Sequence, residues 1–296
     1  MLGPIALFVY NRPWHTRQTV EALQKNEFSA QSDLFIFSDA ARKPEAVAAV
    51  CEVREYIKTI GGFKSVNIVE RDRNLGLANS IIDGVSETCS KYGKVIVVED
   101  DLIVSPHFLS YMNNALDLYA EEPRVMQISG HMFPIRFDGA YDAVFLPFVT
   151  SWGWATWGRA WACFDHSVKQ FEVLNKDVQL RRRFNLDDAY PYFDMLVDQL
   201  NGRIDSWAIK WYVSVFFNDG LTLYPRLSLV INIGFDGSGT HGKRLIRHDE
   251  SQLAAVISFP PPSIDQDARG LVFDYLRRQR SSGVGSLLYK ARRFFE

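Results

Sequence analysis

Three cysteines in 296 residues, Cys51, Cys89 and Cys163, are too few and too widely spaced for a disulfide framework, and no CxxC pair exists to hold zinc. They read as buried or free thiols in a reducing compartment. The sequence also lacks an apolar run of about eighteen residues, so no membrane-spanning helix is expected. Its start passes directly into a strand-like segment, residues 4–10, without the charged beginning of a signal peptide. An excess of one charge is missing too. With 33 basic and 35 acidic residues the net charge is -2, which implies no basic surface for nucleic acid. Internal repeats and low-complexity tracts are absent. The expectation is a soluble, cytoplasmic protein.

Apolar residues, by contrast, make up 47% of the chain, enough for the core of one elaborated α/β domain or two small ones. Their pattern alternates between two periods. Residues 5–10, 34–37 and 66–69 are short apolar runs of strand character. Between them, residues 16–24 and 44–60 have helical spacing, with a turn at Asn11-Arg12-Pro13 and a C-cap expected at Gly61-Gly62. Asn74-Leu75-Gly76 opens a third helix to about residue 92, and Lys94-Val95-Ile96-Val97-Val98 is a fourth strand, apolar enough to be buried on both faces. Strands alternating with helices predict a mostly parallel central sheet flanked by helices.

Further along, 125–128, 144–146, 221–224 and 229–231 are strand candidates, and 187–200 and 206–217 helix candidates. Spacings of three and four from Trp154 to Trp161 match a buried helix face. Residues 234–242 form a glycine-rich loop around His241, and Pro260-Pro261-Pro262 ends the compact part. The domain reading is one unit over 1–258, with halves 1–122 and 123–258, followed by an extension over 259–296. The end of that extension, basic and amphipathic over 287–295, would lie on an anionic membrane surface or dock on a protein.

The fourth strand ends in Glu99-Asp100-Asp101, after which Ser105 and Pro106 are expected to open a helix to about residue 119. Carboxylates at the carboxyl edge of a parallel sheet lie where open α/β folds bind ligands. Three adjacent acids repel one another unless a cation or hydrogen-bond donors are supplied. The stretch is therefore either a metal and nucleotide site or an acidic solvated turn. Arg71-Asp72-Arg73-Asn74, before a helix N-terminus, suits anion or ribose contacts or is an ordinary charged loop.

The order of these features resembles GT-A-fold glycosyltransferases, most closely the N-acetylglucosaminyltransferase I group. The motifs that carry the resemblance are Asn11-Arg12 after a strand, Phe37-Ser38-Asp39, Val98-Glu99-Asp100-Asp101-Leu102 with Pro106 and Phe108 behind it, Gly153-Trp154, Asp205-Ser206-Trp207 and Thr240-His241-Gly242. The resemblance implies a GT-A, Rossmann-like sheet with an acceptor-side helical and loop region. It implies a metal-dependent, inverting transferase that moves a sugar from a nucleotide diphosphate, a UDP-sugar before others, to a hydroxyl of a glycan or lipid-linked acceptor. A bacterial role in surface-polysaccharide assembly at the inner membrane face fits the cytoplasmic reading.

Carried onto this chain, Asp101 binds Mn²⁺ or Mg²⁺, while Glu99 and Asp100 face the ribose or sugar hydroxyls. Asp39 bonds the base and Arg12 the nucleotide, unless those two merely pair with each other. Arg71 and Asn74 complete the donor side. Asp205 is the candidate general base. The family has two acids before the tryptophan and this chain one; anchored on Trp207, the family's base position falls on Ser206, which cannot serve, so the role goes to Asp205. The competing reading makes Asp205 an N-cap of the helix starting at Ser206, and the two roles are compatible. His241 reaches the diphosphate or the metal, with Lys243 and Arg244 adding positive charge. Trp154 or Trp207 would stack on the acceptor, and His131 is a weaker sugar-pocket candidate. Two other classes stay open: a sugar-phosphate nucleotidyltransferase, which usually carries a glycine-rich basic loop where Asn11-Arg12-Pro13 stands, and a non-catalytic carbohydrate-binding protein.

Overall fold

The computed structural model describes residues 1–235 and 258–281. His241, Lys243, Arg244 and the basic end at 287–295 lie outside them. Ten strands and ten α-helices follow one another among the described residues. In the first half these are β1 (Ile5–Val9), α1 (Pro13–Gln24), β2 (Asp33–Ser38), α2 (Val47–Ile57), β3 (Ser65–Glu70), α3 (Leu77–Tyr92), β4 (Lys94–Glu99), β5 (Leu102–Val104) and α4 (Phe108–Leu118). The second half holds β6 (Val125–Ser129), β7 (Ala143–Leu146), β8 (Trp154–Trp157), α5 (Gly158–Trp161), α6 (Phe171–Lys176), α7 (Val178–Phe184), α8 (Tyr192–Leu200), α9 (Trp207–Phe217), β9 (Leu221–Pro225), β10 (Val230–Asn232) and α10 (Gln266–Ser281).

Eight strands form a mixed but mostly parallel sheet in the order β3-β2-β1-β4-β8-β6-β9-β7. Strands β3, β2, β1, β4, β6 and β9 share one direction, and only β8 and β7 oppose it. Side chains alternate across the sheet as strand geometry requires. In β4, Val95 and Val97 enter the layer of α3, α5, α8, α9 and α10, whereas Ile96 and Val98 enter that of α1, α2 and α4. Both faces are covered, which is why the strands read as continuous apolar runs.

Several expected boundaries shift for local reasons. Pro13 does not stay in a turn but begins α1, where its fixed φ and missing N–H suit the first helical position. The expected helix over 44–60 is a 3₁₀ turn at Pro44–Ala46 followed by α2, which ends at Ile57 before the glycines. Ser105 and Pro106 do not start a helix either. The chain after the acids forms the short strand β5, antiparallel to β10, and α4 starts at Phe108. The Trp154–Trp161 segment is mainly strand: β8 slots between β4 and β6, and only its last residues turn into α5. The helix expected over 187–200 starts late, at Tyr192, because Leu186, Asp187 and Asp188 all have positive φ. Helices α6 and α7 were not expected. Within the C-terminal extension, α10 packs on the main core through Ala268, Val272, Phe273 and Leu276.

One buried polar residue ties the sheet to the helix layer. Gln127, in the middle of β6, accepts from the Trp211 indole N–H of α9 at 2.6 Å and donates to the Thr150 carbonyl at 2.7 Å. Gln127→Leu would strand both groups in the core, at about 1–3 kcal/mol each. The expected outcome is a urea midpoint lowered by the equivalent of about 2–4 kcal/mol with an unchanged slope. A midpoint like that of the unmodified protein would show that the two groups find other partners.

Candidate functional site

The carboxyl ends of β1, β2, β3 and β4 lie side by side, and most of the expected site residues leave from them. Because β1 is hydrogen-bonded to both β2 and β4, the loop after β1 meets the acids after β4 directly. Arg12 Nη2 donates to Asp100 Oδ1 and, at 3.0 Å, to Asp101 Oδ2. Asp100 is buried and held further by the Tyr10 amide on Oδ2 at 3.3 Å, while its carbonyl accepts from the Thr19 hydroxyl of α1 at 2.8 Å. Burial and the neighbouring Asp101 push the Asp100 carboxyl above the ordinary carboxylate range, against the opposing pull of Arg12. Burial alone would lower the Arg12 guanidinium, but the two carboxylates outweigh it and the group is held more firmly protonated than usual. Arg12 therefore pairs with the acids after β4, not with Asp39.

Asp39 is committed elsewhere. Its Oδ1 accepts from the amides of Ala40 (2.9 Å) and Leu75 (2.9 Å), and its Oδ2 from those of Gly76 (3.0 Å) and Leu75 (3.2 Å). Three backbone N–H donors thus meet the carboxylate, and that of Leu75 is shared between its two oxygens. In this structure Asp39 braces the loop that enters α3. Asn74 assists, since its side-chain amide donates to the Ala40 carbonyl at 2.7 Å. Gly76, the residue before α3, has φ +77° and ψ 159°, a region essentially reserved for glycine. The braced loop presents the N-terminus of a sixteen-residue helix at the sheet edge.

Asp205 arrives at this same place from the other half of the chain. Its Oδ2 lies 3.5 Å from where a Cβ on Gly76 would stand. The side chain is exposed and has no hydrogen bond or ion pair among the described residues. Ser206, not Asp205, occupies the N-cap position of α9, and no side chain caps that helix. The alternative of Asp205 as a helix cap is therefore not what its position supports.

Arg71 follows β3, with its amide on the Ser38 carbonyl at 2.9 Å and its guanidinium 5.7 Å from the centre of the Phe37 ring. Its Nε and Nη2 are buried and without a hydrogen-bond partner among the described residues. Glu99 is the last residue of β4, and by the alternation of the strand it follows Val97 toward the α3 layer.

The tryptophans go to the core. Trp154 is 0% and Trp207 2% exposed, and their rings stack on each other at 5.0 Å, with Trp161 beside both. Neither offers a face to an acceptor sugar, because β8 and α9 turn both rings into the layer between sheet and helices. His131 is likewise buried, edge-on to Trp152 at 4.6 Å and Phe133 at 5.2 Å.

Sequence reasoning missed the segment after β10. The Ile233 amide donates to the Asp101 carbonyl at 2.9 Å, and Gly234 then lies so close to Asp101 and Arg12 that any Cβ there would collide with the Asp101 carboxylate. The clustering of glycines from Gly234 onward marks a loop, but its expected reach into the site rests on His241 and not on Gly234.

Among the described residues no group of three His, Cys, Asp or Glu side chains is arranged to cage a metal ion. The oxygens at hand still suit a hard divalent cation that takes only part of its shell from protein. Asp101 uses one oxygen for Arg12 and has no hydrogen bond on the other among the described residues, and at Gly234 no side chain crowds its carboxylate. One carboxylate completed by phosphate oxygens and water is a usual Mg²⁺ or Mn²⁺ arrangement.

No protein-family model and no curated protein sequence matches the chain. Solved structures resemble it distantly. The structure of GalNAc-T7 with UDP, GalNAc and Mn²⁺ shares 11% identity over 78% of this chain and 44% of its own, with a TM-score of 0.48. S. aureus TarS 1-349 shares 12% over 77% of this chain and 58% of its own, with a TM-score of 0.41. A mannosyltransferase, PcManGT from Pyrobaculum calidifontis, in complex with GDP-Man and Mn²⁺, shares 14% over 43% of this chain and 34% of its own, with a TM-score of 0.32. The chain thus spans between about a third and three-fifths of the length of these structures. Likeness at this level does not carry their ligands over to it.

Proposed function

We propose that the chain is a metal-dependent, inverting glycosyltransferase of the GT-A type. It would move a sugar from a nucleotide diphosphate, a UDP-sugar before others, to a hydroxyl of a glycan or lipid-linked acceptor. The observation that carries this reading is the meeting of three kinds of group at one sheet edge: the Asp100–Asp101 pair with Arg12, the braced N-terminus of α3, and the exposed carboxylate of Asp205 beside it, which has no partner among the described residues. An anionic donor and a base for the acceptor hydroxyl require these groups together.

In this reading Asp101 is the protein ligand to Mn²⁺ or Mg²⁺, which when bound neutralises charge developing on the leaving diphosphate. The positive end of α3 favours the same phosphates. Arg71, whose buried Nε and Nη2 have no hydrogen-bond partner among the described residues, supplies further donors for the nucleotide. Glu99 and Asp100 orient the ribose or the sugar. Asp205 takes the proton from the acceptor hydroxyl as it attacks. A role in surface-polysaccharide assembly belongs to the same proposal. No helix among the described residues is long and apolar enough to cross a membrane.

The test is a panel of nucleotide sugars with Mn²⁺, read by thermal shift and by slow donor hydrolysis. A nucleoside diphosphate with metal should raise the melting temperature, and Asp101→Ala should lose at least about tenfold in metal-dependent affinity, equivalent to about 1.4 kcal/mol. Absence of any metal-dependent nucleotide binding would sink the metal-dependent form of the reading. Release of pyrophosphate from a nucleoside triphosphate and a sugar phosphate would instead identify a nucleotidyltransferase.

A further inference from the structure

The acid pair already has a cation of its own. Arg12 reaches it from the end of β1, 88 residues away from Asp100 in the chain, and one guanidinium nitrogen serves both carboxylates. The two carboxylates are not equivalent. Asp100 is the deeper, with its side chain 5% exposed against 14% for Asp101 and 19% for Arg12. Asp100 also keeps the Tyr10 amide, so it is tied to β1 through two residues. Among the described residues Asp101 has a single side-chain hydrogen bond, the 3.0 Å bond from Arg12.

Among the described residues the pair sets two carboxylates against one guanidinium, an excess of negative charge. A donor diphosphate would meet this excess, so added positive charge is needed for it to bind. At equal distance a divalent ion attracts a carboxylate about twice as strongly as a guanidinium does. Dehydration of the ion opposes the exchange, and donor phosphates lower that cost by replacing lost water.

We infer that Arg12 is a displaceable internal cation: it holds Asp100 throughout but yields Asp101, so that arginine and divalent metal compete for one carboxylate. This rests on the reading of Asp101 as the metal ligand. Arg12 is then a positioning residue with two states. It keeps the acids from repelling one another before metal arrives, and it sets how much metal is needed to occupy the site. Asp100 gives it a fixed anchor, which is why one arm of the contact can be released without freeing the loop after β1.

Two measurements on the full-length chain, both without nucleotide, test the competition. First, free Mn²⁺ is counted by electron paramagnetic resonance during titration of the unmodified protein and of Arg12→Gln. Loss of the competing pair should tighten Mn²⁺ binding by about tenfold, the equivalent of one modest partly buried ion pair. Unchanged or weaker binding overturns the proposal.

Second, the arginine side-chain ¹⁵N–H resonances of the unmodified protein are followed during a Mg²⁺ titration, with the Arg12 signal assigned by its loss in Arg12→Lys. The Arg12 signal should move in step with metal occupancy. This arm does not depend on the folding of Arg12→Gln with Asp100 unpaired. It also separates displacement from a general charge effect, because tighter Mn²⁺ binding with a stationary Arg12 signal would count against competition. If neither protein binds metal, the competition falls, while transfer in the presence of EDTA would keep the transferase reading alive. If transfer is metal-dependent but Arg12 does not move, only the competition falls.

Discussion

Asp205→Asn should leave metal-dependent donor binding intact and slow transfer by about two orders of magnitude or more, the usual cost of losing a positioned general base. Asparagine keeps the shape and cannot take a proton. The expectation follows from three properties of Asp205: exposure, freedom from other partners among the described residues, and position against Gly76. A competing role is electrostatic. A carboxylate near the N-terminus of α3 favours the helix dipole by about 0.3–1 kcal/mol, and its loss would register as stability with no effect on rate. Donor affinity, melting temperature and transfer rate measured on the same variant separate the two. Unchanged transfer removes Asp205 from the chemistry.

A second large effect is expected at Asp39, and it is structural before it is catalytic. Asp39→Ala deletes the acceptor for the amides of Leu75 and Gly76, the entry to α3, and for Ala40. Charge-assisted bonds of this kind are stronger than neutral ones, and a lost helix-terminal acceptor alone costs about 0.5–2 kcal/mol. The variant should lose about 2–4 kcal/mol of stability, read from chemical denaturation, because several partly buried N–H groups go unpaired together. Asp39→Asn, which retains one acceptor oxygen, should lose less. Donor affinity should fall with the order of the loop in both variants. A stable Asp39→Ala protein with weakened binding specific to the base would assign Asp39 a direct contact with the base instead.

The strands were legible where burial on both faces made the residue pattern unambiguous. Residues 95–98 are four β-branched aliphatics in succession, and they form the centre of β4. Legibility failed where two periods gave the same residues. Tryptophans at 154, 157 and 161 fit a helix face as well as an alternating strand that turns into a short helix. Strand pairing with β4 and β6 decided between them, and a partner strand is invisible to local spacing. The same holds for Ser105-Pro106, a sound helix opening overruled because the preceding residues pair with β10.

The candidate site divides along the same line. Residue types and local order alone marked Glu99-Asp100-Asp101 as the end of a buried strand and placed Arg12, Asp39 and Arg71 at the ends of others. A strand's end is a local property, set by where an apolar run stops. Which of these groups touch is not local. Because β1 lies between β2 and β4, Arg12 had two neighbouring loops to choose from, and the tertiary structure gives it Asp100 and Asp101 and leaves Asp39 to the amides of residues 75 and 76. The approach of Asp205 to Gly76 and of Gly234 to Asp101 joins segments more than a hundred residues apart. Contacts at that separation are fixed by the order of strands and the packing of layers, which is why only the folded chain decided them.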